Sequence, residues 1–499
     1  MIAAGQPLRE PNLPALLAGL VDGVPPMQVT GVQSDSRKIR RGDLFLACQG
    51  LTHHGLEYLV QVQQQGAAAV AWEPRPGLAA PLAEIPLIPV EALSVRAGEI
   101  AGRYYGAPSE RLFVTGITGT DGKTSTAYLL AQAMDALRQP CGYLGTLGAG
   151  RIGTLRGGEH TTPDPVAVHA QLAEFADQQL VCAAMEVSSH ALDQARVAGV
   201  SFDVAVLTNL GRDHLDYHGD LSRYAAAKHR LFRWPGLQAA VLNRDDNYGR
   251  AWAHELAAGV SCVSYGIDGP LGRGGRQLIA RDVRSLDDGL AFRVDSSWGQ
   301  AELRCSLLGR FNVYNLLAAL GVLLVRGVAL EDAVRALAEV QTVPGRMEGQ
   351  ALRGGPTLVV DYAHTPQALE QALLAARAHC RGRLTCVFGC GGDRDAGKRP
   401  QMGQVAARLA DACIVTDDNP RTESPQQIVA DITAAMDGAS YRIVHDREAA
   451  ISEAVAAASE GDLILIAGKG HEDYQIRGQE RRHYSDREVV ARLAQEAAA

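Results

Sequence analysis

The stretch Val114-Thr-Gly-Ile-Thr-Gly-Thr-Asp-Gly-Lys-Thr-Ser-Thr126 carries residue types suited to holding phosphate. Gly116, Gly119 and Gly122 recur at every third position, so the backbone amides can curl around anionic oxygens. Lys123 is placed to reach β- and γ-phosphates, and the Thr124 hydroxyl to ligate Mg²⁺. The spacing departs from the usual phosphate loop, because the residue five before Gly122 is Ile117 and not glycine. Gly119, Thr120, Asp121, Gly122, Lys123, Thr124 and Ser125 are the candidate nucleotide-binding residues.

Further groups carry chemistry. Glu186 and His214 follow apolar runs and are of types that ligate a second metal beside a bound nucleotide. The alternative is that each caps or salt-bridges a loop. Lys228 lies in Tyr224-Ala-Ala-Ala-Lys-His-Arg-Leu-Phe232, which reads as a short amphipathic helix where a lysine is ordinarily solvated. Further on come Gly391-Gly-Asp-Arg394, Asp418-Asn-Pro-Arg421 and Gly468-Lys-Gly-His-Glu472. Their two arginines, glutamate and glycines suit a zwitterion with carboxylate and ammonium groups. Ser34, Ser36 and Arg37 suit a phosphate or sugar, although Ser-Asp-Ser-Arg is equally a turn with capping chemistry.

The elements that must position these groups alternate. Arg111 to Thr115 reads as a strand, and Ala127 to Leu137 as a helix. Apolar runs at 180–186, 203–209 and 239–243 read as buried strands of a largely parallel sheet extending to about residue 345. In such sheets ligands bind beyond the carboxyl ends of the strands, where these polar groups fall. Residues 61–70 and 92–104 read as helices of an N-terminal α/β unit. After Val343-Pro-Gly-Arg346 a third α/β unit follows, with strands near 357–361, 384–389, 412–416 and 463–467 and helices between them. The expected architecture is α/β in three domains: 1–105, a central phosphate-loop parallel-sheet domain at 106–345, and a C-terminal Rossmann-like domain at 346–499.

The bulk properties fit an ordinary globular enzyme. The 499 residues carry a net charge of −8 and no dense basic tract, which argues against a nucleic-acid partner. Nine scattered cysteines fit reduced core thiols, and Cys386 and Cys390 lack the second pair a zinc site needs. With no signal-peptide pattern, and the longest apolar run at Leu316 to Val325, a cytoplasmic address is expected.

Thr118-Gly-Thr-Asp-Gly-Lys-Thr124, Glu186-Val-Ser-Ser-His190 and Thr208-Asn-Leu-Gly-Arg-Asp-His-Leu-Asp216 resemble the ATP-dependent Mur ligases. So do Lys228, Gly309-Arg-Phe-Asn-Val-Tyr-Asn315, Pro344-Gly-Arg346 and Asp361-Tyr-Ala-His364, and the resemblance covers nearly the whole chain. Asp418-Asn-Pro-Arg421 and Gly468-Lys-Gly-His-Glu-Asp-Tyr474 resemble the branch that adds meso-diaminopimelate to UDP-N-acetylmuramoyl-L-alanyl-D-glutamate through an acyl phosphate. The resemblance implies ATP and Mg²⁺, with Asn312 and Arg346 on ATP. It implies Thr124, Glu186, His214 and a carbamylated Lys228 as metal ligands. Ser34 and Ser36 would hold the UDP end, and Thr161, Thr162, Ser188, Gln194 and Arg196 the muramoyl-peptide portion. Arg394, Asp418, Asn419, Pro420, Arg421, Gly468 and Glu472 would hold diaminopimelate. Asp121 departs from the family's common Asn, and Leu51-Thr-His-His-Gly55 fits the uridine-side pattern only loosely. A lysine-adding ligase, a folylpolyglutamate synthetase and a nucleotide-hydrolysing switch are the competing readings. A monomer acting on small molecules, with no nucleic acid and no membrane insertion, is expected.

Overall fold

The computed structural model describes residues 11–50, 53–158, 160–271, 275–286 and 288–498. Leu51, Thr52 and the terminal segments before residue 11 and at 499 lie outside the described residues. The chain divides into two compact units, one of residues 1–266, 271–278 and 318–329, the other of 267–270, 279–317 and 330–499. The class is α/β.

In the first unit, the N-terminal sheet has four parallel strands in sequence order: Gly31–Gln33, Asp43–Ala47, Ala69–Trp72 and Leu87–Pro89. Helix Leu93–Tyr104 turns Leu93, Ala97, Ile100 and Ala101 inward, the three- and four-residue spacing of a single buried face. The expected helix at 61–70 is shorter. It runs Leu59–Gln64 and stops at Gly66, held at φ 85°, beyond which Ala69 and Val70 enter a strand buried on both faces. A short apolar run fits helix or buried strand alike, and the glycine decides between them.

The central strands of that unit run in the order Ala239–Asn243, Val204–Leu207, Phe113–Thr118, Cys182–Glu186, Cys141–Gly145, all parallel, with Gly148–Gly150 antiparallel at the edge. Phe113–Thr118 comes first in sequence among these strands and sits between strands added on either side. This is the topological switch point, where the strand ends open a crevice. Register pairs Ile117 with Glu186 and Thr118 with Leu207, so the loops after three strands leave the sheet side by side.

Residues 289–305 interrupt the largely parallel sheet expected up to about residue 345. Gly289–Ser296 and Gly299–Cys305 form an antiparallel hairpin with alternating exposed and buried positions on its outer strand. The C-terminal sheet orders Glu348–Ala351, Thr357–Asp361, Leu463–Ala467, Leu384–Phe388, Ala412–Val415 and Tyr441–Ile443, parallel except for the first. Helices Pro366–Arg377, Lys398–Leu409, Pro425–Thr433 and Arg447–Ala456 occupy the segments read as helical, and Asp486–Ala498 adds a last one. A separate hairpin, Tyr474–Arg477 with Glu480–His483, follows the Gly468–Glu472 loop. Among the described residues no helix is long and apolar enough to cross a membrane. All nine cysteines are free thiols.

Candidate active site

Strand Phe113–Thr118 delivers the glycine-rich loop to helix Lys123–Ala136. Gly119 at φ 148° and Gly122 at φ 80° make the turn, and a Cβ on Gly119 would lie 1.9 Å from Thr208 Oγ1. The neighbouring strand end staples the loop. The Thr120 amide donates to the Asn209 carbonyl at 2.9 Å, the Asp121 amide to Asn209 Oδ1 at 3.0 Å, and Thr208 Oγ1 to the Asp121 carbonyl at 2.6 Å. Asp121 is thus held by its main chain, which explains why the departure from Asn leaves the loop intact. Lys123 folds back over the loop and donates to the Gly119 and Thr120 carbonyls at 3.0 and 2.7 Å. The turn presents a helix N-terminus and an ammonium to one anion site.

Glu186 ends its strand wholly buried, and its donors are neutral. Thr124 Oγ1 donates at 2.9 Å, the Tyr143 hydroxyl at 2.5 Å and the Thr146 amide at 2.9 Å. Burial and the Glu186 charge push the Tyr143 phenol well up, so it stays a donor. A Cβ on Gly145 would fall 2.2 Å from Glu186 Oε1, so only glycine admits the carboxylate. A dry carboxylate with hydroxyl donors, beside a phosphate loop, suits a hard cation that keeps phosphate and water oxygens as its other ligands. Among the described residues no group of three or more His, Cys, Asp and Glu side chains forms a protein-only metal cage.

Lys228 is not a solvated residue. Only 1% of it is exposed, and Nζ donates to the Gly119 carbonyl at 2.7 Å, sharing that oxygen with Lys123. Burial, then the Lys123 charge, pulls its pKa well below the ordinary lysine value. Helix Leu221–His229 turns Tyr224, Ala225, Ala227 and Lys228 inward, so the face expected to be wet is the buried one. His214 stands exposed at φ 51°, with Nε2 3.3 Å from Asp213 Oδ2 and its ring edge-on to His190. The Tyr224 ring lies near both His214 and Lys228, and its hydroxyl is 3.1 Å from Thr120 Oγ1.

A second network continues from Glu186. Thr162 Oγ1 donates to the Glu186 carbonyl at 2.9 Å and accepts from the Ser188 amide at 3.1 Å. Arg196 holds the Thr162 carbonyl at 2.9 Å and Gln194 Oε1 at 2.7 Å, while Thr161 Oγ1 lies 3.0 Å from Thr146 Oγ1. Thr161, Thr162, Ser188, Gln194 and Arg196 therefore come together. Ser34 joins at a distance, donating to Asp164 Oδ1 at 3.0 Å, the N-cap of helix Pro165–Asp177. Ser36 is buried and faces Gln61 instead, and Asp35 caps the turn that follows, as the capping alternative describes.

In the second unit Asn312 is buried and donates to the Leu308 carbonyl at 2.8 Å, and the exposed Arg346 guanidinium lies over the Tyr362 ring at 4.8 Å. Gly345 packs so closely on Gly470 that a Cβ would lie 2.1 Å from its carbonyl carbon. The strand ends of this sheet gather Asp418, Asn419, Pro420, Arg421, Gly468 and Glu472. Asn419 Nδ2 donates to Glu472 Oε2 at 3.0 Å, and a Cβ on Gly468 would meet Asp418 Oδ2 at 2.8 Å. Arg421 sits at φ 51° with Nη1 on the Gly392 carbonyl at 2.7 Å, while Arg394 is exposed beside this turn.

Sequence reasoning passed over Tyr143, Thr146, Tyr224, Lys469 and Arg399. Tyr143 to Thr146 end a strand adjacent to Glu186, and that position was the available signal. Arg399 lies in the first turn of helix Lys398–Leu409. It is 2% exposed and bridges Glu423 at 2.8 Å and Asp431 at 2.9 Å, tying its helix to the segment and helix that follow the Asp418–Arg421 turn.

Three family models match the chain: the Mur ligase family, catalytic domain, at 28–105, the Mur ligase middle domain at 117–323, and the Mur ligase, glutamate ligase domain, at 345–470. Among curated proteins, a UDP-N-acetylmuramoyl-L-alanyl-D-glutamate–2,6-diaminopimelate ligase of Alkalilimnicola ehrlichii is 50% identical over 93% of this chain and 94% of its own. One of the same description from Pseudomonas syringae pv. tomato is 48% identical over 92% of this chain and 93% of its own. A solved structure of a ligase so described superposes with a TM-score of 0.77 at 33% identity, covering 98% of this chain and 100% of that one.

Proposed function

Because the chain belongs to the Mur ligase family, we propose that it joins meso-diaminopimelate to the D-Glu side-chain carboxylate of UDP-N-acetylmuramoyl-L-alanyl-D-glutamate, consuming ATP, in peptidoglycan synthesis. It is an ATP-dependent ligase. The observation that carries the reading is the strand-end site where Thr124, on the phosphate loop, meets the buried Glu186 at 2.9 Å.

The glutamate carboxylate attacks the γ-phosphorus of ATP, giving an acyl phosphate and ADP. The neutral amine of diaminopimelate then attacks the acyl carbon, an amide forms as the nitrogen gives up a proton, and inorganic phosphate leaves with the C–O bond electrons and can take that proton. No protein nucleophile takes part, so the chain's work is positioning and charge neutralisation. Gly119 to Ser125 cradle the phosphates, and Lys123 releases its two loop carbonyls to reach them. Asn312 and Arg346 are assigned to the nucleotide by family membership. Thr124, Glu186, His214 and Lys228 as its carbamate would hold Mg²⁺, which when bound offsets the charge on the transferring phosphoryl group. Deprotonation is the prerequisite for carbamylation, and the burial of Lys228 supports it. Thr161, Thr162, Ser188, Gln194 and Arg196 take the muramoyl-peptide portion, with Ser34 and Ser36 toward the UDP end. Arg394, Asp418, Asn419, Pro420, Arg421, Gly468 and Glu472 form the amino-acid site. The four-, ten- and six-stranded sheets support division into domains at 1–105, 106–345 and 346–499, and the enzyme is assigned as a cytoplasmic monomer.

The deciding experiment is mass spectrometry of the product formed from UDP-muramoyl-dipeptide and ATP with either meso-diaminopimelate or L-lysine. The diaminopimelate adduct, with one ADP per amide, is the expected result. A lysine adduct alone, or ATP hydrolysis without adduct, overturns the assignment.

A further inference from the structure

Lys469 stands inside the Gly468–Glu472 loop, yet the roles assigned to that loop leave it none. Its side chain is wholly buried, and its ammonium meets three partners. Nζ donates to Asn419 Oδ1 at 3.1 Å, in the turn after strand Ala412–Val415, and to the Tyr474 carbonyl at 2.6 Å, at the start of the C-terminal hairpin. Glu472 Oε2 lies 3.7 Å away. Burial depresses the lysine's pKa while Asp418 and Glu472 oppose that shift. Taking an ammonium out of water is costly and its partners offset that only in part, so an apolar side chain would fill the same space more cheaply.

The partners explain what the ammonium does there. Asn419 Oδ1 also accepts the Ile476 amide at 3.0 Å, and an oxygen taking two donors fixes which way the amide points. Its Nδ2 is then aimed at Glu472. The hairpin so anchored holds Arg421 by its main chain: the Arg421 amide donates to the Ile476 carbonyl at 3.1 Å, and Gly478 donates to the Arg421 carbonyl at 2.7 Å. Those bonds keep Arg421 in a left-handed conformation that a free arginine rarely adopts.

We propose that Lys469 is a positioning residue for amino-acid selection, locking the hairpin 474–483 to the Asp418–Arg421 turn so that Arg421 and Glu472 present a fixed spacing of cation and anion to the incoming amino acid. The proposal rests on the reading of this rim as the diaminopimelate site. Lys469 touches no substrate and acts through Asn419, Tyr474 and Glu472.

Lys469→Met and Lys469→Gln are assayed beside wild type with meso-diaminopimelate and with L-lysine. Lys469→Gln keeps an uncharged NH₂ donor group and supplies the readout if the methionine variant folds poorly. KM for meso-diaminopimelate rises about tenfold or more, and the preference over L-lysine narrows by a similar factor. KM for ATP and kcat at saturating amino acid stay near wild type. A folded variant that keeps both the diaminopimelate KM and the preference overturns the proposal. So does a loss confined to kcat, which marks a purely structural role. Wild type that forms no diaminopimelate adduct overturns the functional reading instead, so the two failures are distinguishable.

Discussion

Replacing Arg421 by alanine removes the guanidinium assigned to the far carboxylate of diaminopimelate and leaves most of the surrounding structure in place. The Arg421 main chain is held by Ile476 and Gly478, and arginine and alanine both carry a Cβ, so the left-handed strain at φ 51° is unchanged by the substitution. The side chain gives up one hydrogen bond, from Nη1 to the Gly392 carbonyl at 2.7 Å. That loss from a half-buried site costs about 1 kcal/mol of folding stability, a shift of a few degrees in Tm. The substrate loses more. A charge-assisted hydrogen bond contributes about 1.5–3 kcal/mol, or about 10- to 150-fold in kcat/KM. L-lysine has no second carboxylate and forgoes nothing, so the ratio of kcat/KM values for the two amino acids should fall by that factor. Arg421→Lys keeps the charge and loses the paired geometry, and should fall between. Arg421→Gly should match alanine in selectivity while relieving the backbone strain, which separates the side chain's role from that of the turn. Steady-state kinetics with both amino acids, at saturating ATP and UDP-dipeptide, read the ratio directly. An unchanged ratio in folded Arg421→Ala would refute the assignment of Arg421 to the carboxylate.

Four other outcomes follow from the geometry. Lys123→Ala should fold normally and lose about 10²–10³ or more in kcat, measured by phosphate release, because the charge it brings to the transferring phosphoryl group is gone. Lys228→Arg cannot be carbamylated and should be nearly inactive with or without bicarbonate, whereas wild type depleted of bicarbonate should recover on its return; intact-mass analysis checks for the added CO₂. Arg447→Met should destabilise the chain by about 3–5 kcal/mol in urea unfolding, since Asp486, fully buried and bonded at 2.8 Å through both oxygens, is left unpaired. The Arg399 hydrogen bond holds Asp431 below its usual value of 3.8, so its contribution is present above that pH and lost as pH falls through the lowered folded value. Asp431→Asn should therefore flatten the acid limb of a plot of Tm against pH, and an unaltered limb would contradict the pairing.

Much of this chain is legible in its sequence because the informative signals are local. Glycine spacing before Lys123-Thr124, apolar runs of strand length, and polar residues at each run's end depend only on neighbours a few positions away, and backbone sterics translate them directly. Where two local solutions are close in energy the sequence is silent: the 61–70 run reads as helix until Gly66 is seen to break it. The antiparallel hairpin at 289–305 is legible only through its two-residue Ser297-Trp298 connection, too short for a parallel crossover. Burial is the other gap. The amphipathic pattern of residues 224–232 does not say which face turns inward, and Lys228 proves to be buried against the Gly119 carbonyl. The Glu186 donors Tyr143 and Thr146, the Arg399 brace and the Lys469 hub join residues from about forty to fifty positions apart down to a few, and mostly depend on strand order. Sequence by itself determined the phosphate loop, the α/β class and the family, since these rest on short-range conformational preference and residue type. The tertiary structure alone decided which charges are dry and which partners hold them, because desolvation depends on what the rest of the chain packs around a group.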